Sequence, residues 1–277
     1  MNSRSDNSDN GRDAAAVAPD SEALVLSRLD DKGALTLTLN RPAQFNALSQ
    51  AMLSAMQEAL EQIDDHVRVV VIAANGRAFC AGHDLREMRS HADEAWQCAL
   101  FQQCSQMMQT LVSLPQPVIA RVQGVAAAAG CQLVASCDLA VAADHASFGV
   151  SGINLGLFCS TPSVALSRNL SRKRAFQLLM SGEFISAQTA VDWGLLNECV
   201  ADELLDASIE QWCNTICSKS KVAVSTGKRL FHEQLERPLD QAYALASDAM
   251  ACNMMAEDVA EGIDAFFDKR PPNWKHR

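Results

Sequence analysis

The chain has 277 residues, 48% of them hydrophobic, and 33 Asp and Glu against 23 Lys and Arg give it a formal charge of −10. That length buries a large core in one domain with an appended helical region. The acidic balance excludes a nucleic-acid-binding surface, which needs clustered basic residues to displace counterions, so an anionic ligand has to be met by locally placed cations.

Residues 1–22 are polar and acid-containing, with neither an apolar signal core nor an Arg-rich, acid-poor targeting character, and read as a disordered tail. Leu24 to Leu29 and Ala34 to Leu39 then read as strands around an Asp30-Asp31-Lys32-Gly33 turn. Asn40-Arg41-Pro42 ends the second strand. Ala47 to Ile63 has helical spacing with Ser49 as N-cap, and Arg68 to Ala73 is a β-branched run suited to a strand buried on both faces. After the turn Asn75-Gly76-Arg77 comes FCAGHD, Phe79 to Asp84, and a long helix from about Asp93 to Leu114 that Pro115 stops.

Val118 to Val122 and Leu139 to Ala142 are the next strands, and Phe148 to Gly156 is an irregular, Gly-rich stretch that reads as part of a site wall. From Thr161 the pattern is helical, continuing through Lys173–Ser181, Ser186–Trp193, Asp202–Ser218, Lys221–Leu235 and Glu257–Phe267. Strands first and helices later predict an α/β core, residues 23–197, followed by a helical region, residues 198–277. No internal repeat is visible. The weakly polar run Val122 to Ala143 is broken by Gln123, Gln132 and Asp138 and does not read as a membrane span. The ten cysteines are scattered through apolar segments, which predicts reduced thiols in a cytoplasmic protein. Cys213 and Cys217 share a helix face, but without a CxxC or clustered His they read as small hydrophobes and no metal site is predicted.

Pro117 to Ala142, PVIARVQGVAAAAGCQLVASCDLAVA, carries the most chemistry. Small residues there open a short helix, whose first N–H groups lack intrahelical partners and offer a site for an oxyanion. The polar side chain in that opening, Gln132, is a neutral amide rather than an acid or base. Of other groups near such a site, His83 either titrates near neutral pH or is simply packed in its loop. Asp138 reads as a scaffold or helix-terminating residue. Cys159 reads as core or pocket lining, because a nucleophilic role needs a cation or helix terminus to lower its pKa.

These segments, LTLNRPAQFNALS (Leu37 to Ser49), GRAFCAGHDLREM (Gly76 to Met88), Pro117 to Ala142, SFGVSGINLGL (Ser147 to Leu157) and EGIDAFFDKRPPNW (Glu261 to Trp274), occur in an order that resembles the enoyl-CoA hydratase/isomerase, or crotonase, superfamily. The resemblance covers nearly all of the chain after residue 22. It implies an α/β crotonase spiral of ββα units with a C-terminal helical trimerisation region, forming homotrimers or dimers of trimers. It also implies an acyl-CoA thioester ligand, with coenzyme A entering as part of the substrate and no other cofactor.

Carried over position by position, the resemblance assigns the two N–H groups that hold the thioester carbonyl to Ala81 and Ala129. The two glutamates of hydratases fall on Gln132 and Gly152, neither of which moves a proton, so standard hydration and the isomerisation that uses the second glutamate are not expected. Thioester hydrolysis or decarboxylation, which lean on the oxyanion hole, and a non-catalytic acyl-CoA-binding or scaffold role are the alternatives. Gln44, Phe45, Arg77, Gly82, His83 and Asp84 are assigned to the substrate or its CoA. Lys269 and Arg270 match basic residues that reach CoA phosphates, and otherwise form a solvated helix end.

Overall fold

Asp30 sets the first turn: its Oδ1 accepts from the N–H groups of Lys32 and Ala34 at 2.9 and 2.8 Å. The turn closes an antiparallel hairpin of β1 (Val25–Leu29) and β2 (Ala34–Leu39). The structure is a computed structural model describing residues 23–277; the expected tail, residues 1–22, lies outside it. Helix α1 (Gln50–Glu61) begins where Ser49 accepts from the Met52 N–H, and it buries Met52, Leu53, Met56 and Leu60 on one face. Strand β3 (Val69–Ala74) is buried at every residue, as its β-branched run predicts. Val70 and Ile72 join the main core, while Val69 and Val71 join a second cluster on the opposite face.

Strand β4 (Ala78–Cys80) follows, then α2 (Leu85–Ser90) and α3 (Glu94–Ser113). The next unit is β5 (Val118–Val122), β6 (Val125–Ala127) and α4 (Ala129–Ser136). After it come β7 (Leu139–Ala143), β8 (Ser147–Gly149) and α5 (Ser160–Asn169). Each unit sends one strand into each of two sheets, so a ββα unit recurs in space without recurring in sequence. With β9 (Phe184–Ser186) and β10 (Glu198–Val200) added from further along the chain, the larger sheet runs β1-β2-β3-β5-β7-β10, parallel from β2 onward, and the smaller runs β4-β6-β8-β9. The short strands β4, β6 and β8 bring the FCAG loop and the start of α4 side by side.

Helix α6 (Arg172–Ser181), strand β9 (Phe184–Ser186), helix α7 (Ala187–Trp193) and strand β10 (Glu198–Val200) complete the two sheets. Strand β10 pairs with β7, and helix α8 (Leu205–Cys217) covers the second face with Leu205, Ile209 and Cys213. The core therefore extends past the boundary expected at residue 197. Cys213 packs there as a small hydrophobe, with Cys217 alongside, and all ten cysteines are free.

Helices α9 (Lys221–Leu235), α10 (Leu239–Asn253) and α11 (Glu257–Phe267) form the C-terminal region. Helix α10 was not legible in the sequence: Ala242 is its one buried residue, so no apolar stripe marks a core-facing side. Its Tyr243 is 70% exposed, and Phe231, Leu239, Phe266 and Phe267 of the same region are also exposed. Among the described residues, no helix is long and apolar enough to cross a membrane.

Candidate functional site

The loop between β2 and α1 is held open by two consecutive left-handed residues, Phe45 at φ 52° and Asn46 at φ 54°. Asn46 meets the cost of that conformation with its side chain. Fully buried, it accepts from the Arg41 N–H at 2.8 Å and donates to the carbonyls of Asn75 and Ala78 at 2.9 Å each. The neighbouring FCAG loop is then stitched on: the Leu48 N–H donates to the Gly82 carbonyl at 2.8 Å and the Ala81 N–H to the Phe45 carbonyl at 3.0 Å. Asn46 was not singled out in the sequence and Arg41 was read only as part of a strand end, although both lie in the LTLNRPAQFNALS stretch.

The Ala81 bond corrects the expected oxyanion pair, because an N–H already donating inside the protein is not free for a ligand. Two residues on, the His83 N–H has no acceptor among the described residues. Gly82 brings it toward α4: at φ +88°, a Cβ on Gly82 would lie 3.1 Å from the Ala129 N and 2.9 Å from the Ala127 carbonyl oxygen. On the other side, a Cβ on Gly130 would overlap the Cys80 carbonyl. Small residues at both places are what let the two segments meet.

Helix α4 starts without a side-chain cap, from Ala128 at φ 48° and ψ −115°. That backbone region belongs almost entirely to glycine, and holding an alanine there costs on the order of 1–3 kcal/mol. The Ala128 N–H donates to Gly149 at 2.8 Å and its carbonyl accepts from Gln132 at 3.0 Å, so both sides of the strained residue are pinned. The Ala129 N–H, first in the helix, is left without an acceptor among the described residues.

Gln132 is 5% exposed, and its Oε1 is buried without a hydrogen-bond partner among the described residues. At Gly152 the backbone leaves no space for a side chain: an added Cβ would lie 2.6 Å from the Leu157 carbonyl oxygen and 2.7 Å from Cys159 Sγ. Cys159 is buried, and burial raises its thiol pKa, with the Gly152 N–H acting weakly in the other direction. It is not an activated nucleophile.

His83 does not titrate near neutral pH. Burial pulls its imidazole down to about 4, its Nε2 is buried without a partner among the described residues, and its ring packs edge-on against Phe101 at 5.3 Å. Asp84 is not presented to a ligand either. It caps α2 by accepting from Arg86 and Glu87 and pairs with Arg41 at 3.1 Å. Burial opposes its charge, but the backbone N–H groups of Glu87 and Arg86, with Arg41, hold its carboxyl below the usual range.

Asp138 belongs to the scaffold. It pairs with Lys228 at 2.7 Å and His232 at 2.9 Å, both on α9, and accepts from the Val118 N–H at 2.7 Å. Lys228, a buried cation in a polar helix pattern, gave no signal in the sequence. Of the residues expected at the nucleotide end, Arg77 lies over the Phe45 ring at 4.6 Å and Gln44 closes the adjoining turn. Arg270 is held by Glu261 and Asp268 and Lys269 is exposed. Among the described residues, no hydrogen bond or ion pair joins either to the FCAG loop.

Comparison with known proteins gives the geometry a context. The family model described as enoyl-CoA hydratase/isomerase matches residues 30–277. The human protein named enoyl-CoA hydratase domain-containing protein 3, mitochondrial, is 44% identical over 265 residues, covering 95% of this chain and 88% of its own. A crystal structure of an enoyl-CoA hydratase from Mycobacterium smegmatis superposes with a TM-score of 0.90 at 54% identity, covering 91% of this chain and 99% of the other. The crystal structure of human enoyl-CoA hydratase domain-containing protein 3 gives 0.88 at 43%, with 91% and 100% covered. These similarities carry the crotonase fold. They also overturn the cytoplasmic expectation, since the human protein and its rat and mouse counterparts are named as mitochondrial; that expectation rested on the scattered cysteines and on the lack of a targeting character in residues 1–22, which lie outside the described structure.

Proposed function

Since the chain belongs to the enoyl-CoA hydratase/isomerase family, we propose that it binds an acyl-CoA thioester and polarises the carbonyl between the N–H groups of His83 and Ala129. The observation that carries this reading is the meeting of two unused backbone donors across Gly82. A preorganised donor of this kind is worth ~2.7–4 kcal/mol to a developing oxyanion, because it neither reorients nor sheds water as charge builds. No cofactor beyond the CoA itself is required.

Hydration of an enoyl thioester needs one group to activate water and another to deliver a proton, each contributing ~10²–10⁴-fold. Gln132 does not exchange a proton near neutral pH, and position 152 is closed by Leu157 and Cys159. Reactions that lean on the oxyanion site alone, thioester hydrolysis or decarboxylation, fit this lining better. The closure at 152 also favours a second reading, acyl-CoA binding without turnover.

Arg77 and Phe45, already stacked, are suited to the nucleotide end, with Gln44 beside them. Among the described residues Lys269 is the member of the C-terminal pair without an ion pair, and it would act across a subunit boundary in a homotrimer or dimer of trimers. The exposed aromatic residues of α9 to α11 support that assembly. The names of the relatives support a mitochondrial location.

The direct test is an isotope-edited infrared spectrum of carbonyl-labelled butyryl-CoA bound to the protein. A carbonyl stretch lowered from its value in water is expected, and an unshifted band on a bound thioester would sink the polarisation reading. A parallel turnover panel of enoyl-, acyl- and malonyl-type thioesters separates catalysis from binding. Hydration of crotonyl-CoA at an ordinary hydratase rate would show that the roles given to Gln132 and Gly152 are wrong.

A further inference from the structure

We infer that Lys228 is a positioning residue of the thioester site, although it lies at the opposite end of α4: by neutralising Asp138 it keeps the positive end of that helix available to charge developing on the carbonyl. The inference rests on the thioester reading above. It starts from where the chain puts its charges. Helix α4 carries the Ala129 N–H at its first residue, and its eight residues, ending at Ser136, are all buried. Asp138 comes directly after the Cys137 cap.

That is the unfavourable end of a helix for a carboxylate. Aligned peptide dipoles leave partial negative charge at a helix C-terminus, so an anion is repelled there and a cation is favoured. The last carbonyls of α4 take neutral donors: Leu133 accepts from the Cys137 thiol at 3.3 Å, Val134 from the Cys137 N–H, and Ala135 from the Asn169 amide at 2.9 Å. Asp138 is required by the sheet instead. It accepts from the Val118 N–H at 2.7 Å and donates its own N–H to the Val118 carbonyl at 2.9 Å, where β5 begins its pairing with β7.

Lys228 supplies the counter-charge that α4 lacks. An ammonium has three donors, and here they meet the carbonyls of Leu111 and Gln116 at 2.9 and 3.0 Å and Asp138 Oδ2 at 2.7 Å. With its side chain 5% exposed, the cation is fixed and little screened by water. His232 holds the other carboxylate oxygen at 2.9 Å from a part-exposed position on the same helix. Eight helical residues span about 12 Å, and a unit charge at that distance in an effective dielectric of about 20 changes an ionisation constant by roughly tenfold. Without Lys228 the field of the carboxylate opposes an oxyanion at Ala129; with Lys228 in place the two charges nearly cancel at that range.

The test is spectrophotometric titration of acetoacetyl-CoA bound to the full-length protein. The carbon between its two carbonyls gives a proton to the buffer and leaves an enolate that absorbs in the near ultraviolet, with negative charge on the thioester oxygen. In the wild type the midpoint of this ionisation should lie below that of the free thioester. Lys228→Met should raise it by about one pH unit. Adding Asp138→Asn, which removes the stranded charge, should return it to the wild-type value; a clamp that merely held α4 in place would not be restored by losing its second half. If Lys228→Met does not fold, His232→Lys adds a cation beside the carboxylate without removing a buried partner and should lower the midpoint. A midpoint unmoved in whichever of these variants folds, or raised as far in the double variant as in the single one, overturns the inference and leaves the thioester reading standing. A wild-type midpoint equal to that of the free thioester, or no binding, overturns the thioester reading itself.

Discussion

A Cβ on residue 152 would meet the Leu157 carbonyl oxygen at 2.6 Å and Cys159 Sγ at 2.7 Å, so replacing the glycine does not simply restore an acid. Gly152→Glu should destabilise the protein by about 1–3 kcal/mol, the usual cost of overpacking, and leave crotonyl-CoA hydration at background. Adding Cys159→Ala should recover part of the loss, because the thiol is one of the two obstructions. Urea denaturation of the three proteins checks this, and an undiminished midpoint for Gly152→Glu would contradict it. His83 gives a second prediction at this scale. Burial holds its imidazole at about 4, against an ordinary 6.5, so between those values the unfolded chain carries the extra proton. The contribution of His83 is complete above pH 6.5 and falls away as the pH drops toward 4, by about 3 kcal/mol. Comparing the pH dependence of unfolding in the wild type and in His83→Phe, which keeps the aromatic contact with Phe101, should show a flatter acid limb in the variant.

At the scale of elements, α9 is fastened beside the site helix through Asp138, which pairs with both Lys228 and His232. Lys228, 8% exposed, donates to the carbonyls of Leu111 and Gln116 and pairs with Asp138, which follows the Cys137 cap of α4. Burial lowers its pKa and Asp138 works to raise it. Removing one member of such a pair leaves a desolvated charge behind, so Lys228→Met should cost about 3–5 kcal/mol. The double variant with Asp138→Asn should cost less than the sum of the single ones. Additive losses in urea melts would mean that the two residues act independently. Asp138 was legible as a scaffold residue from its place after the helix, but its partner lies ninety residues away on an element with no apolar signal.

At the scale of the whole molecule, helices α9 to α11 expose several large apolar side chains, which suits the proposed assembly. Tyr243 and Phe266 are 70% and 78% exposed, and Phe231, Leu239 and Phe267 lie on the same group of helices. Sedimentation velocity should therefore report three or six chains per particle. Paired Tyr243→Asp and Phe266→Asp substitutions should shift the protein toward smaller species; a wild-type monomer at micromolar concentration would refute the assembly reading.

What the sequence determined by itself was everything governed by local pattern. The β-branched run at β3, the Ser49 cap, the Pro115 stop and the small residues opening α4 each act within a few positions, and together with their order they were enough for the fold family. They were also enough to see that Gln132 and Gly152 carry no acid. Which N–H groups are free was decided only by tertiary structure: among the described residues Ala81 donates to Phe45 and His83 finds no acceptor, because a left-handed loop built around Asn46 lies against the FCAG turn. Hydrogen bonds between segments thirty or more residues apart depend on register and approach, which no local spacing encodes. The neutral His83, the Cys159 that fills position 152 and the buried Lys228 have the same origin, since burial is a property of the packed molecule and not of any residue in it.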